Sequence, residues 1–196
     1  MRTRFFVWVL VGLVPGCGLF NQSGSDGGAS GGGAVGFGAP TLELTIDGTQ
    51  FGPSIPDVGS GADITSTVDP TTGSVSDTVL RIATSSAATG AACNFSLERF
   101  GEGLPPWRAA GYSIAAGGFG ATADGQAAPV AGEAVSVPQG SWSCSGSTCE
   151  GAVLVLSYLA ADHIEGYLSG NFDSATGAGA SSVVCAFYLP VHTYDN

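Results

Sequence analysis

There is no lysine in this sequence, and arginine alone supplies its positive side chains: Arg2, Arg4, Arg81, Arg99 and Arg108. Against these stand 16 acidic residues, none before Asp26, for a formal net charge of −11. A chain this acidic repels phosphate backbones, so a nucleic-acid partner is not expected. The acids are scattered, which describes a solvated surface rather than an acidic tail. Histidine is scarce as well, with only His163 and His192. No stretch sustains a 3.6-residue apolar period over a helical length. The most apolar run, Phe5 to Val14, is far short of the roughly 20 residues a spanning helix needs. Glycine runs are present, but none follows a strand and opens a helix, as a phosphate-binding loop requires. No cofactor is implied.

What is present begins with a leader. Arg2 and Arg4 precede the short apolar run, and the small residue Gly16 precedes Cys17. Charge, apolar segment and small residue describe a secretory signal. Val14, Pro15, Gly16 and Cys17 together resemble the signal of bacterial lipoproteins, with proline where Ala, Ser, Thr or Val is usual. The resemblance covers the leader only. It implies cleavage before Cys17, a diacylglyceryl thioether on its sulfur and acylation of its new amine. Two or more acyl chains anchor stably where one does not, at about 0.8 kcal/mol per buried CH₂. The expected partner is therefore a membrane, reached through a lipid. Gly18 stands where, in the enteric sorting pattern, an aspartate retains such proteins in the inner membrane. The resemblance thus implies the outer membrane of a cell that has two. Loss of residues 1–16 removes Arg2 and Arg4 and takes the charge from −11 to −13.

Residues 17–39 carry the anchor and a tether. Nine of the 22 residues from Gly18 to Ala39 are glycine, and no apolar period survives. Such a coil spans roughly 26 Å root-mean-square.

From Pro40 onward, residues 40–196 read with period two. Leu42, Leu44 and Ile46 alternate with Thr41, Glu43 and Thr45, and Asp47-Gly48 follows as a hairpin signal. Cys93, Phe95, Leu97 and Arg99 fall on one face. Ile164, Gly166, Leu168, Gly170 and Phe172 fall on another, as do Val183, Cys185, Phe187, Leu189 and Val191. The stretch 151–160, GAVLVLSYLA, is apolar on both faces and reads as a strand buried between layers. YLAADHIEGYL has helical propensity, but Gly166 and its shortness favour a turn between strands. Eight to ten short strands punctuated by Gly, Pro and Asp predict an all-β fold. The expected form is an antiparallel β-sandwich, jelly-roll or immunoglobulin-like. The phrases TIDGTQF and IEGYLSGNF loosely resemble those of small β-rich bacterial surface lipoproteins, a likeness that implies no activity.

With Cys17 set aside, Cys93, Cys144, Cys149 and Cys185 remain, an even set that suits two disulfides in an oxidising compartment. Four small residues separate Cys144 from Cys149, while Cys93 and Cys185 both face inward. The expected pairing is Cys144–Cys149 and Cys93–Cys185. A four-cysteine zinc site is the rival, but the paired short spacings of such sites are missing.

Catalytic signals are thin. GYSIA, Gly111 to Ala115, resembles a nucleophile elbow, but a glycine-rich stretch follows it instead of a helix. Ser113 with His163 is the available nucleophile–base pair, and Asp162 beside His163 should point to the opposite strand face. Histidine at a strand end otherwise reads as a polar surface residue. Asp57, Asp63, Asp69 and Asp77 could offer oxygens to calcium, but turn formation accounts for them without a metal. Trp107, beside Arg108 on a proline-stiffened loop, either stacks on a ligand such as a sugar or plugs one end of the fold. Trp142, two residues from Cys144, should pack against the disulfide. The expectation is a lipid-anchored envelope module, structural or for binding to an envelope protein or glycan. An extracytoplasmic hydrolase and a carbohydrate- or calcium-binding adhesion domain are the alternatives.

Overall fold

The computed structural model describes residues 39–195, except 116–121, 123, 124, 131, 132, 145–148 and 150. Cys17, the leader and the tether up to residue 38 lie outside the described residues. The chain is all-β, as its period-two pattern predicts. Its strands are β1 (Thr41–Ile46), β2 (Thr49–Ser54), β3 (Gly61–Val68), β4 (Val75–Ser86), β5 (Ala91–Phe100) and β6 (Ala110–Ile114). They continue with β7 (Gln126–Pro129), β8 (Glu133–Val137), β9 (Gly140–Cys144), β10 (Val153–Leu159), β11 (His163–Ser174) and β12 (Ala180–Asp195).

The ladder returns on itself. From β12 it runs through β3, β4, β5, β7, β6, β10 and β11 and back to β12. A second bridge, the β8–β9 hairpin, joins β5 to β11. Closure satisfies backbone groups that an open edge would expose. Two pairings, β12–β3 and β6–β7, are parallel, so the sheet is mixed and not wholly antiparallel as expected. The cause is the length of β12. Its first part pairs with β1 on one edge and β11 on the other, and its last residues leave β1 and run beside β3.

Alternation decides which side chains go inside. Leu42, Leu44 and Ile46 of β1 are buried, and β1 packs across the interior against β4 and β5. Leu80 and Ile82, then Cys93, Phe95 and Leu97, supply the facing wall. Ile164, Leu168, Phe172, Val183, Cys185, Phe187 and Leu189 complete the core. The expectation of a strand covered on both faces at 151–160 is corrected. Leu154 and Leu156 are buried, but Val153 is 36% and Tyr158 41% exposed, because among the described residues no second layer covers that outer face. The turn expected within YLAADHIEGYL is there, joining β10 to β11. Gly166 sits opposite Leu156, beside a bulge, where an added Cβ would collide with the carbonyl oxygen of Val155.

Both expected disulfides are formed, Cys93–Cys185 and Cys144–Cys149. The first joins β5 to β12, which share no ladder pairing, and so ties one wall of the core to the other.

Candidate functional site

The residues with most chemistry gather where β10 turns into β11. His163 opens β11 with its ring lying between two tyrosines. The ring of Tyr158 is 4.3 Å away and stacked, and that of Tyr188 is 4.8 Å away. The ladder explains this: Tyr158 pairs with Glu165 and Glu165 with Tyr188, so all three strands aim these residues outward in one row. Both ring nitrogens meet carboxylates, Nδ1 at 3.1 Å from Asp162 and Nε2 at 3.6 Å from Glu165. The hydrogen bond to His163 holds the Asp162 carboxyl below the ordinary aspartate range. The Tyr188 hydroxyl is pushed up, first by burial and then by the charges of Glu165 and Asp162.

Two expectations about His163 are corrected here. It is buried, only 7% exposed, and is not a surface histidine. Asp162 contacts it instead of facing away, because Asp162 belongs to the turn, where strand alternation does not hold. Tyr158 and Tyr188 could not be assigned to this histidine from sequence, since a bulge between Leu156 and Tyr158 shifts the register.

Ser113 is elsewhere. It pairs with Val153, and Val153 with Ser169, six residues along β11 from His163. At about 3.3 Å per residue the two are roughly 20 Å apart along the strand. The Ser113 hydroxyl donates instead to the carbonyl of Gly125 at 3.5 Å.

A second constellation closes one end of the interior. Trp107 is buried at 5% exposure, its ring edge-on to Tyr112 at 4.9 Å. The guanidinium of Arg99 lies over both rings, 5.5 Å from Trp107 and 5.4 Å from Tyr112, and Nη1 donates to the carbonyl of Pro105 at 2.9 Å. Tyr112 locks the loop, its hydroxyl accepting from the amide of Arg108 and donating to its carbonyl, both at 3.1 Å. Trp107 is buried, as the plug reading expects, while the Arg108 side chain is exposed. The sequence put Arg99 on the inward face with Cys93, Phe95 and Leu97, and there it is, 1% exposed. Trp142 is partly buried against the core.

Two of the four candidate aspartates serve the backbone. Asp69 accepts from the amides of Thr71 and Thr72, which lower its pKa. Asp57 accepts from the Ser85 hydroxyl and the Ala87 amide. Asp63 faces His192 at 3.4 Å. Asp77 interacts with Glu98 on the outer face of β4 and β5; burial, then that neighbour, raises the Glu98 pKa. No cluster of three or more His, Cys, Asp or Glu able to hold a metal occurs among the described residues.

No family model, no curated protein and no solved structure matches this chain.

Proposed function

We propose that the protein is a lipid-anchored module of the cell envelope that binds or scaffolds rather than catalyses. Cys17 carries the lipid, the glycine-rich segment to Ala39 is the tether, and residues 40–196 are the working domain. The carrying observation is the cysteine pairing: Cys93, Cys144, Cys149 and Cys185 are consumed by two disulfides. That supports an oxidising compartment and leaves Cys17 as the one cysteine outside the domain. Intact mass spectrometry of the native protein, reduced and unreduced, tests this. The expected chain begins at Cys17, carries acyl mass and gains about four hydrogens on reduction, two per disulfide. A chain running from Met1 with an unmodified Cys17 overturns the reading.

A second reading, glycan contact, is favoured by the outer face of β10, β11 and β12. Tyr158 and Tyr167 are about 40% exposed there, next to Glu165. Tyrosine rings present flat apolar faces to sugar C–H groups, and carboxylates accept from sugar hydroxyls. The −11 charge selects a neutral glycan over a polyanion. Calorimetry with neutral envelope polysaccharides should show binding that Tyr167→Ala weakens; absence of heat across a range of such glycans removes this reading. The hydrolase alternative draws no support from the separation of Ser113 and His163.

A further inference from the structure

The inward faces of β3, β4 and β5 change character toward the end that Trp107 closes. Ile64, Leu80 and Leu97 form one apolar register row. Two residues along, the row is Ser66, Thr78 and Arg99, and Thr78 is 1% exposed. A pocket of about 330 Å³ opens at this end. Among the described residues its walls are hydrocarbon, from Ile64, Pro106, Trp107, Leu159 and Val191, and the Ser66 and Thr78 hydroxyls are the polar lining.

The hydrogens on those hydroxyls can be assigned. Thr78 Oγ1 donates to the carbonyl of Thr65 at 3.2 Å, which uses its one proton. The 3.2 Å contact between Ser66 Oγ and Thr78 Oγ1 must then use the proton of Ser66. Both donors are committed, so what Ser66 has left to offer is lone pairs. A ligand completing this site brings a donor for Ser66. Buried polar groups left without partners cost more than partnered ones.

We propose that this pocket is a binding site for a compact, neutral, apolar molecule bearing a hydroxyl group, an alcohol or phenol. The hydrocarbon body packs against Trp107, Pro106, Leu159 and Val191, and the hydroxyl donates to Ser66 Oγ. Mouths of closed β-sheets are common places for such pockets, and 330 Å³ lies at the small end of their range. The inference does not rest on glycan contact or on lipid attachment, and stands or falls without them.

The test uses the full-length chain, fluorine NMR and two probes, 4-fluorophenol and 4-fluoroanisole. These differ in that the second cannot donate a hydrogen bond. Saturable binding of the phenol is expected, with the anisole about tenfold weaker, the factor equivalent to 1.4 kcal/mol. Ser66→Ala should bring the two probes to equal affinity. Ala160→Phe, which fills the pocket from its rim, should abolish both; Ile64→Phe replaces it if the first variant does not fold. Absence of saturable phenol binding, or binding that survives the filled pocket, overturns the site. Equal affinities in the unsubstituted protein overturn the hydroxyl requirement.

Discussion

Gly166 shows how a single hydrogen atom can be a structural requirement. Any side chain there meets the Val155 carbonyl across the β10–β11 pair, so Gly166→Ala must push two paired strands apart. Overpacking of this kind costs about 1–3 kcal/mol, and the urea midpoint of Gly166→Ala should fall accordingly. Arg99 makes the opposite point, since its charge is spent inside. Arg99→Met keeps most of the volume but gives up the ring contacts and the bond to Pro105. A loss of about 2–3 kcal/mol is expected by the same measurement. Glu98 links this scale to pH. Its folded pKa is raised by burial first and by Asp77 second, so the folded state holds its proton more tightly than the unfolded chain. That contribution is present below the ordinary glutamate pKa and is lost as pH rises through the raised value. Glu98→Gln should flatten this part of the stability–pH curve, read from urea midpoints across the carboxylate range and just above it.

At the scale of elements, the β1–β2 hairpin was legible because its turn is local. Asp47 and Gly48 both take positive φ, 48° and 80°, the pair of values a two-residue turn of this hand needs. Asp47 also reaches β12, its carboxylate accepting from the amide of Ser182 at 2.8 Å and its own amide donating to the Ser182 carbonyl at 2.9 Å. Gly48→Ala leaves those bonds and adds only left-handed strain, so a cost of about 1–2 kcal/mol is expected in urea unfolding. The burial of β10 is not legible in sequence, for an equally physical reason. Val153 and Val155 alternate with Leu154 and Leu156, a bulge brings Tyr158 to the valine face, and composition cannot reveal whether a second layer covers that face. The turn after β10 is legible in the sequence, but its consequence for His163 is not. The aromatic cradle draws on β10 and β12, and a bulge sets which tyrosine meets the ring.

For the whole molecule, the ladder closes by hydrogen bonds and the Cys93–Cys185 bridge closes it again through the core. The chain-entropy model assigns roughly 4–5 kcal/mol to a loop of the 92-residue separation spanned here, and about 2 to the five-residue separation of Cys144–Cys149. Replacing Cys93 and Cys185 together by alanine should therefore lower stability about twice as much as replacing Cys144 and Cys149. Paired denaturation curves measure the ratio, and equal losses would show that loop length does not govern it.

By itself the sequence determined the all-β class, the inward face of most strands, the first hairpin and both disulfides. Each follows from a period of two, a turn dipeptide or a cysteine's place on a face, and those are properties of neighbours along the chain. The resemblance of residues 14–17 to a lipoprotein signal is likewise read along the chain. Only the tertiary structure decided the closed mixed ladder, the burial of Trp107 beneath Arg99, the cradle of His163 and the pocket bounded by Ser66 and Thr78. Those depend on which strands lie side by side and in what register. Register is fixed when distant faces pack against one another, and no local pattern encodes it.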